Sequence, residues 1–216
     1  LRAEQPVLHA DGVEFTARYG QESAHLRLGI PGKFTVYNAL GVLGAAIALG
    51  VPLDAAVRAL ETAKGVKGRV EVVPTPGTDY TILIDYAHAP DGLENVLSSV
   101  RGFCKGRLIS VFGCGGDRDN TKRPIMGEIG ARLSDIAIIT SDNPRTEDPM
   151  ISDHSNCLVE ENRRKAIRMA MDMAQKDDII VLCGKGHETY QILGTEKTHL
   201  DEREEVAAHL REERGM

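Results

Sequence analysis

The 216-residue sequence predicts an α/β protein whose larger part is a doubly wound, mostly parallel sheet. Three observations carry that expectation. Short, continuous apolar runs recur from residue 69 onward: Thr81-Ile82-Leu83-Ile84-Asp85, Leu108-Ile109-Ser110-Val111-Phe112, Ile136-Ala137-Ile138-Ile139 and Ile179-Ile180-Val181-Leu182. Strands buried on both faces read as such runs, without polar alternation. Segments with helical spacing separate the runs, as crossovers between parallel strands require. Each run also opens into a polar or glycine-rich loop, and the strand C-termini of such a sheet share one edge, where ligands bind.

The elements follow in order. Residues 8–28 alternate apolar and polar side chains, which predicts antiparallel strands with a turn near Gly20-Gln21. Pro31-Gly32 interrupts the chain, and residues 36–49 are apolar almost all round, which predicts a buried helix. Gly50-Val51-Pro52 ends that helix, and residues 54–63 form a second one. Gly65 and Gly68 mark a boundary, so residues 1–68 and 69–216 are expected as separate domains. Beyond it, strands are predicted at 69–73, 81–85, 108–112, 136–140 and 179–182. Helices are predicted at 90–103, 124–133, 163–175 and 201–210.

Composition narrows the function. The content of 42% apolar residues is that of a globular protein, and no run has the length of a membrane span. A formal charge of −6 and the absence of Trp argue against a nucleic-acid partner held by general basicity or base stacking. Cys104, Cys114, Cys157 and Cys183 form no CxxC pair and match no zinc spacing, so no metal site is expected from them. They read as small hydrophobes in a reduced, cytoplasmic compartment. The chain begins Leu1-Arg2-Ala3-Glu4, with neither a starting Met nor a signal peptide, and is expected to be a fragment.

Four loops carry the chemistry: Asp85-Tyr86-Ala87-His88-Ala89-Pro90, Gly113-Cys114-Gly115-Gly116-Asp117-Arg118-Asp119, Ser141-Asp142-Asn143-Pro144-Arg145-Thr146-Glu147-Asp148-Pro149, and Gly184-Lys185-Gly186-His187-Glu188. Pro144 and Pro149 stiffen the third, whose Arg145 fork suits a carboxylate or phosphate. Glycines let backbone N–H groups approach an anion, but neither a Walker loop nor GxGxxG is present. Blander readings stand beside these. The Asp142 loop fits a solvated turn, and Gly113 to Gly116 a tight strand-to-helix turn. Asp85 fits an N-cap of the helix that starts near Pro90. Lys185 and His187 fit solvated positions, and Glu188 the first turn of a helix. Met169, Met171 and Met173 read as core or surface filler.

Taken together, the loops resemble the Mur ligase family in its diaminopimelate-adding form. The matching residues are Gly32-Lys33-Phe34-Thr35-Val36-Tyr37-Asn38-Ala39, Gly68-Arg69-Val70-Glu71, Asp85-Tyr86-Ala87-His88, Gly113 to Asp119 with Lys122-Arg123-Pro124, Asp142-Asn143-Pro144-Arg145, and Gly184 to Glu188 with Tyr190-Gln191. The resemblance runs from about residue 25 to the C-terminus. It implies a Rossmann-like C-terminal ligase domain at 69–216, preceded at 1–68 by the end of a central P-loop ATPase domain whose P-loop is absent. Thr35 stands where many relatives have Asn, and the stretch from Pro149 to Arg163 is shorter than usual.

The implied activity is ATP-dependent addition of meso-diaminopimelate to UDP-N-acetylmuramoyl-L-alanyl-D-glutamate through an acyl phosphate, in peptidoglycan synthesis. The resemblance implies Mg²⁺ as cofactor, with ligands mostly outside this chain. It places diaminopimelate at Arg118, Asp142, Asn143, Pro144, Arg145, Gly184 and Glu188, and the nucleotide at Asn38, Arg69, Asp85 and His88. No catalytic or metal-binding residue is assigned within the chain. The expected protein is a cytoplasmic monomer, inactive as a fragment. Two alternatives remain: an amino-acid-binding module without activity, or a ligase like folylpolyglutamate synthetase.

Overall fold

The computed structural model describes residues 1–114, 121–142 and 155–213. Internal contacts divide the chain into two compact units, Leu1–Val66 and Lys67–Met216.

In the first unit, β1 (Arg2–His9), β2 (Gly12–Tyr19) and β3 (Glu22–Leu28) form an antiparallel meander. The β2–β3 turn lies where the alternation predicted it. Strand β1 begins earlier than expected, because the register shift between Glu4 and Val7 hides its period. Helices α1 (Lys33–Ala48) and α2 (Leu53–Leu60) follow. Val13, Phe15 and Ala17 of β2 and Leu26 and Leu28 of β3 point inward onto Val36, Ala39, Leu43, Leu53 and Val57. One expectation for α1 fails. The helix buries only Thr35, Val36, Ala39 and Leu43, while Tyr37 and Val42 are more than half exposed. Its buried residues fall at helical spacing on a single stripe, so apolar composition alone overstated its burial.

The second unit runs β4 (Glu71–Val73), β5 (Thr81–Asp85), α3 (Pro90–Arg101), β6 (Leu108–Phe112), α4 (Lys122–Leu133), β7 (Ile136–Ile139), β8 (Cys157–Val159), α5 (Arg163–Met173), β9 (Ile179–Cys183), β10 (Tyr190–Leu193), β11 (Glu196–His199) and α6 (Glu202–Glu213). Its six-stranded sheet has the order β4-β5-β9-β6-β7-β8. All neighbours are parallel except the edge pair β4–β5. Ile82, Ile84, Ile109, Val111, Ile138, Ile180 and Leu182 pack on α5 and α6 through Ala166, Ile167, Ala170, Met171, Val206 and Leu210. Helices α3 and α4 pack on each other and on the sheet, bringing Leu93, Leu97, Val100 and Met126 into the core. Each fully buried Leu or Ile contributes about 1.5–3 kcal/mol by leaving water. Strand β8 and the β10–β11 hairpin were not predicted. Each strand has four residues or fewer, and neither hairpin strand is a continuous apolar run.

The N-terminal edge of the sheet is pinned by Asp178. Its carboxylate accepts from the backbone N–H groups of Arg107 (2.6 Å) and Gln175 (2.9 Å), and from Arg107 Nε and Nη2 (3.0 and 2.7 Å). Burial alone would raise its pKa, but these hydrogen bonds outweigh it and hold the carboxyl below its ordinary value.

Candidate functional site

Parallel pairing of β5, β9, β6 and β7 brings the ends of four strands to one edge of the second unit. Asp85 lies level with Cys183 in the β5–β9 register, and the Gly184 N–H donates to Asp85 O at 3.0 Å. The loop that leaves β9 therefore runs beside the loop that leaves β5. Its course depends on two glycines with positive φ: Gly184 at +112° and Gly186 at +53°. A Cβ at Gly184 would stand 3.6 Å from the Asp142 carboxyl carbon, and one at Gly186 would press on Tyr86 at 2.6 Å. The loop is thus wedged between Asp142 and Tyr86, and its backbone leaves no space for a side chain at Gly186.

Lys185, between these glycines, turns inward. Its side chain is fully buried, with the ammonium 3.2 Å from Asp142 Oδ1 and 3.4 Å from Glu188 Oε2. The solvated reading of Lys185 is therefore overturned: the two flanking glycines supply the turns that bring its chain under the loop. Glu188 is not in a helix. It closes a turn through its N–H on Lys185 O (2.9 Å), and the chain then enters β10. Asp142 is buried, yet its Oδ1 accepts no hydrogen bond among the described residues, since the Lys185 contact is an ion pair without hydrogen-bond alignment. Gln191 of β10 fixes the backbone beneath it, donating from Nε2 to Asp142 O (3.0 Å) and Ser141 Oγ (3.0 Å).

Behind the loop lies a second charge pair. Arg163 and Glu202 are both wholly buried, and Arg163 donates to Glu202 Oε1 through Nε (3.0 Å) and Nη2 (2.6 Å). Nη2 also donates to Cys183 O at 2.7 Å, the last carbonyl before Gly184. Burial pushes the Glu202 carboxyl above its ordinary value despite Arg163, while Arg163 keeps its proton.

On the other side of the β9 loop, Asp85 does not cap α3. The cap residue is Ala89, and it makes no side-chain cap bond. Asp85 accepts instead from Ala87 N (2.8 Å) and Val70 N (2.9 Å), tying the start of the unit to the end of β5. Arg69 is exposed, with its guanidinium 5.2 Å from the Tyr86 ring centroid. His88 Nδ1 lies 2.8 Å from Tyr86 O, and since a carbonyl oxygen only accepts, Nδ1 is the donor in this bond. The rings of His88 and His187 lie 4.7 and 5.0 Å from Tyr86. Arg203 of α6 donates Nε to Glu71 Oε1 (2.8 Å), Nη1 to Asp201 Oδ1 (3.1 Å) and Nη2 to Gly186 O (3.0 Å). The Glu71 carboxyl is held below its ordinary value, first by Arg203 and also by the Gly68 N–H. The structure thus gathers Asp85, Arg69, His88, Asp142, Gly184 and Glu188 in one unit. Asn38 is exposed on α1 of the other unit. Arg118, Asn143, Pro144 and Arg145 lie outside the described residues.

Three residues of the site were not picked out by sequence reasoning: Arg163, Glu202 and Arg203. The first stands in a run of three cations, Arg163-Arg164-Lys165, and the others in the charged run Asp201 to Glu205, so nothing local marks them. Of the cysteines, Cys183 fits the expected buried small-hydrophobe role, and Cys104, Cys114 and Cys157 are partly exposed. All four are free, Cys183 is buried in β9, and burial raises its thiol well above the usual range. Among the described residues, one His and carboxylate group lies close enough to share a cation, Asp172, His209 and Glu213 on α5 and α6. His209 Nε2 is 2.7 Å from Asp172 Oδ1, the spacing of a hydrogen bond, and the group offers no all-oxygen set for Mg²⁺.

A doubly wound sheet with glycine loops and a charged cluster at its strand ends has the architecture in which α/β domains bind ligands. Residues 68–186 match the family described as "Mur ligase, glutamate ligase domain". The chain belongs to the Mur ligase family. It is 52% identical over 221 residues to the UDP-N-acetylmuramoyl-L-alanyl-D-glutamate–2,6-diaminopimelate ligase of Clostridium botulinum, a match covering 98% of this chain and 46% of the relative. A Clostridium acetobutylicum ligase of the same name is 51% identical, with the same coverage of both chains. A solved structure of a ligase with that name superposes with a TM-score of 0.80 at 33% identity, over 98% of this chain and 45% of the other. The chain spans about half the length of the curated relatives it matches.

Proposed function

We propose that this chain is the C-terminal portion of an ATP-dependent ligase that adds meso-diaminopimelate to UDP-N-acetylmuramoyl-L-alanyl-D-glutamate. The observation that carries the reading is the pair Asp142 and Glu188 converging on Lys185 at the strand-end edge, with one buried Asp142 oxygen open to a donor. Two carboxylates there suit the ammonium of an amino acid head group. The names of relatives at about half identity supply the substrate class.

In this reading residues 1–68 end the central ATP-binding domain, and residues 69–216 bind the amino acid. Asp142 and Glu188 accept from the far ammonium of diaminopimelate, and Gly184 leaves room beside Asp142. Asn143 and Pro144 shape the same loop. Arg145 forks the far carboxylate, and Arg118 offsets charge at the other end. A lysine substrate lacks that carboxylate and would leave Arg145 unpaired, so the site discriminates against it. Arg69 reaches a phosphate, Asp85 uses its remaining lone pairs on the ribose, and His88 borders the nucleotide; Asn38 is proposed as a further nucleotide-binding residue.

The chemistry is activation followed by aminolysis. The D-glutamate carboxylate takes the γ-phosphoryl group of ATP, and the diaminopimelate amine attacks the acyl carbon. The amine loses a proton, phosphate leaves and an amide forms. Bound Mg²⁺ would neutralise phosphoryl charge, and its ligands would lie mostly outside these residues. What this chain supplies is a positioned amine. No described helix is long and apolar enough to cross a membrane, and the protein is proposed to work as a cytoplasmic monomer without nucleic acid.

Calorimetry of the chain with meso-diaminopimelate, L-lysine and ATP tests the reading, beside an ADP-release assay with the UDP precursor. Diaminopimelate binding at least tenfold tighter than lysine is expected, with no ADP release by the chain alone. Absence of diaminopimelate binding at millimolar concentration would overturn the amino-acid site. ADP release by the chain alone would overturn its assignment as a partial enzyme.

A further inference from the structure

We propose that Lys185 is a positioning residue whose buried ammonium acts as the fixed counter-charge of the amino-acid site, setting it to take one ammonium group and no more. The inference rests on the reading that Asp142 and Glu188 receive the ammonium of the substrate.

Lys185 is 0% exposed, and an ammonium withdrawn from water needs opposite charge close by. Asp142 Oδ1 at 3.2 Å and Glu188 Oε2 at 3.4 Å supply it. The same contacts act in reverse on the carboxylates. Without Lys185, two anions would stand close together with no cation between them, and each would disfavour the other. With Lys185, the three groups together carry one negative charge, and one bound ammonium brings that to zero. The neighbouring pair Arg163–Glu202 is neutral as a unit and leaves this balance unchanged.

Lys185 stands between Gly184 and Gly186 with its side chain wholly buried, and its nitrogen lies against both carboxylates. Tyr190, whose ring centroid is 5.7 Å from the nitrogen, adds a π face to the same surround. Asp142 Oδ1 accepts no hydrogen bond among the described residues, so Lys185 holds this oxygen by charge and leaves its acceptor capacity for the ligand. Lys185 therefore touches no reacting atom. It keeps the two acceptors together and limits the charge they present.

The test measures meso-diaminopimelate affinity by calorimetry on this chain, with circular dichroism as the check on folding. Lys185→Met should weaken binding at least tenfold. The double variant Lys185→Met/Glu188→Gln restores the net charge and should bind more tightly than Lys185→Met, although it lacks one carboxylate. In Lys185→Ala, propylammonium at tens of millimolar should recover several-fold of the lost affinity and leave the unsubstituted chain unchanged. A merely structural lysine would give neither the charge recovery nor the amine rescue. An unsubstituted chain that binds, with Lys185→Met binding as tightly or with both recoveries absent, overturns the role of Lys185 alone. An unsubstituted chain that does not bind overturns the amino-acid site, and this inference with it.

Discussion

Arg163 and Glu202 form an ion pair with neither side chain exposed, and Arg163 also holds the carbonyl of Cys183, one residue before the Gly184 loop. The pair ties α5 to α6 and fixes where β9 ends. A buried pair of this kind stabilises little against a well-packed apolar replacement, whereas removing one partner strands a charge. Glu202→Ala should therefore destabilise the protein by about 3–5 kcal/mol. The double variant Arg163→Met/Glu202→Leu should lie much closer to the parent. Urea denaturation of the three proteins measures this, and a double variant no more stable than Glu202→Ala would show that the two side chains do not act as a pair.

At the opposite edge of the sheet, Asp178 gives a pH signature. Its carboxyl is held below its ordinary value, so the folded state binds its proton less readily than the unfolded chain. Its contribution is complete above the unfolded value of about 4 and is lost as pH falls through the lower folded value. Asp178→Asn should cost about 1–3 kcal/mol at pH 7, since hydrogen bonds to a charged acceptor are of that order. The difference from the parent should shrink steadily below about pH 4. Denaturation midpoints at pH 7 and pH 3 check both parts, and a constant difference would exclude the carboxylate as the source.

Arg203 links two segments far apart in sequence. It bonds Glu71 on β4 and Gly186 in the β9 loop, while Glu71 Oε2 accepts the Gly68 N–H at 2.6 Å. Arg203→Ala frees Glu71 to rotate and releases that amide. Hydrogen exchange at Gly68 should accelerate by about 5–30-fold, as local loss of 1–2 kcal/mol implies. Exchange in β6, which Arg203 does not bond, should stay unchanged.

These examples show why parts of the protein were legible in its sequence. Strands β5, β6 and β9 are buried on both faces, so their apolar runs are unbroken and unambiguous. Strand β8 is three residues long with Leu158 and Val159 exposed, and no period survives at that length. In the site, Asp142 and Glu188 were named through the resemblance of their loops to the Mur ligase family, and the structure sets both against Lys185. Arg163 was not named, since Arg163-Arg164-Lys165 reads as a solvated helix start. Only the packing of α5 on α6 buries its first member and leaves Arg164 and Lys165 at the surface. Asp85 was read as a cap or ribose acceptor, and its bond to Val70 N could not be foreseen from residues 15 positions apart.

Arg145 carries the proposed choice between diaminopimelate and lysine. Its guanidinium is the one group in the Asp142-Asn143-Pro144-Arg145 segment able to fork a carboxylate. Arg145→Ala removes a charge-assisted pair worth about 1.5–3 kcal/mol, which corresponds to roughly 10–150-fold in affinity. Diaminopimelate binding should weaken by that factor. Lysine, with no second carboxylate to lose, should bind the variant no worse than the parent, so the preference between the two ligands should largely disappear. Parallel titrations of parent and variant with both ligands measure the ratio directly. A variant that keeps its preference for diaminopimelate would place the selecting charge elsewhere, with Arg118 the first residue to substitute.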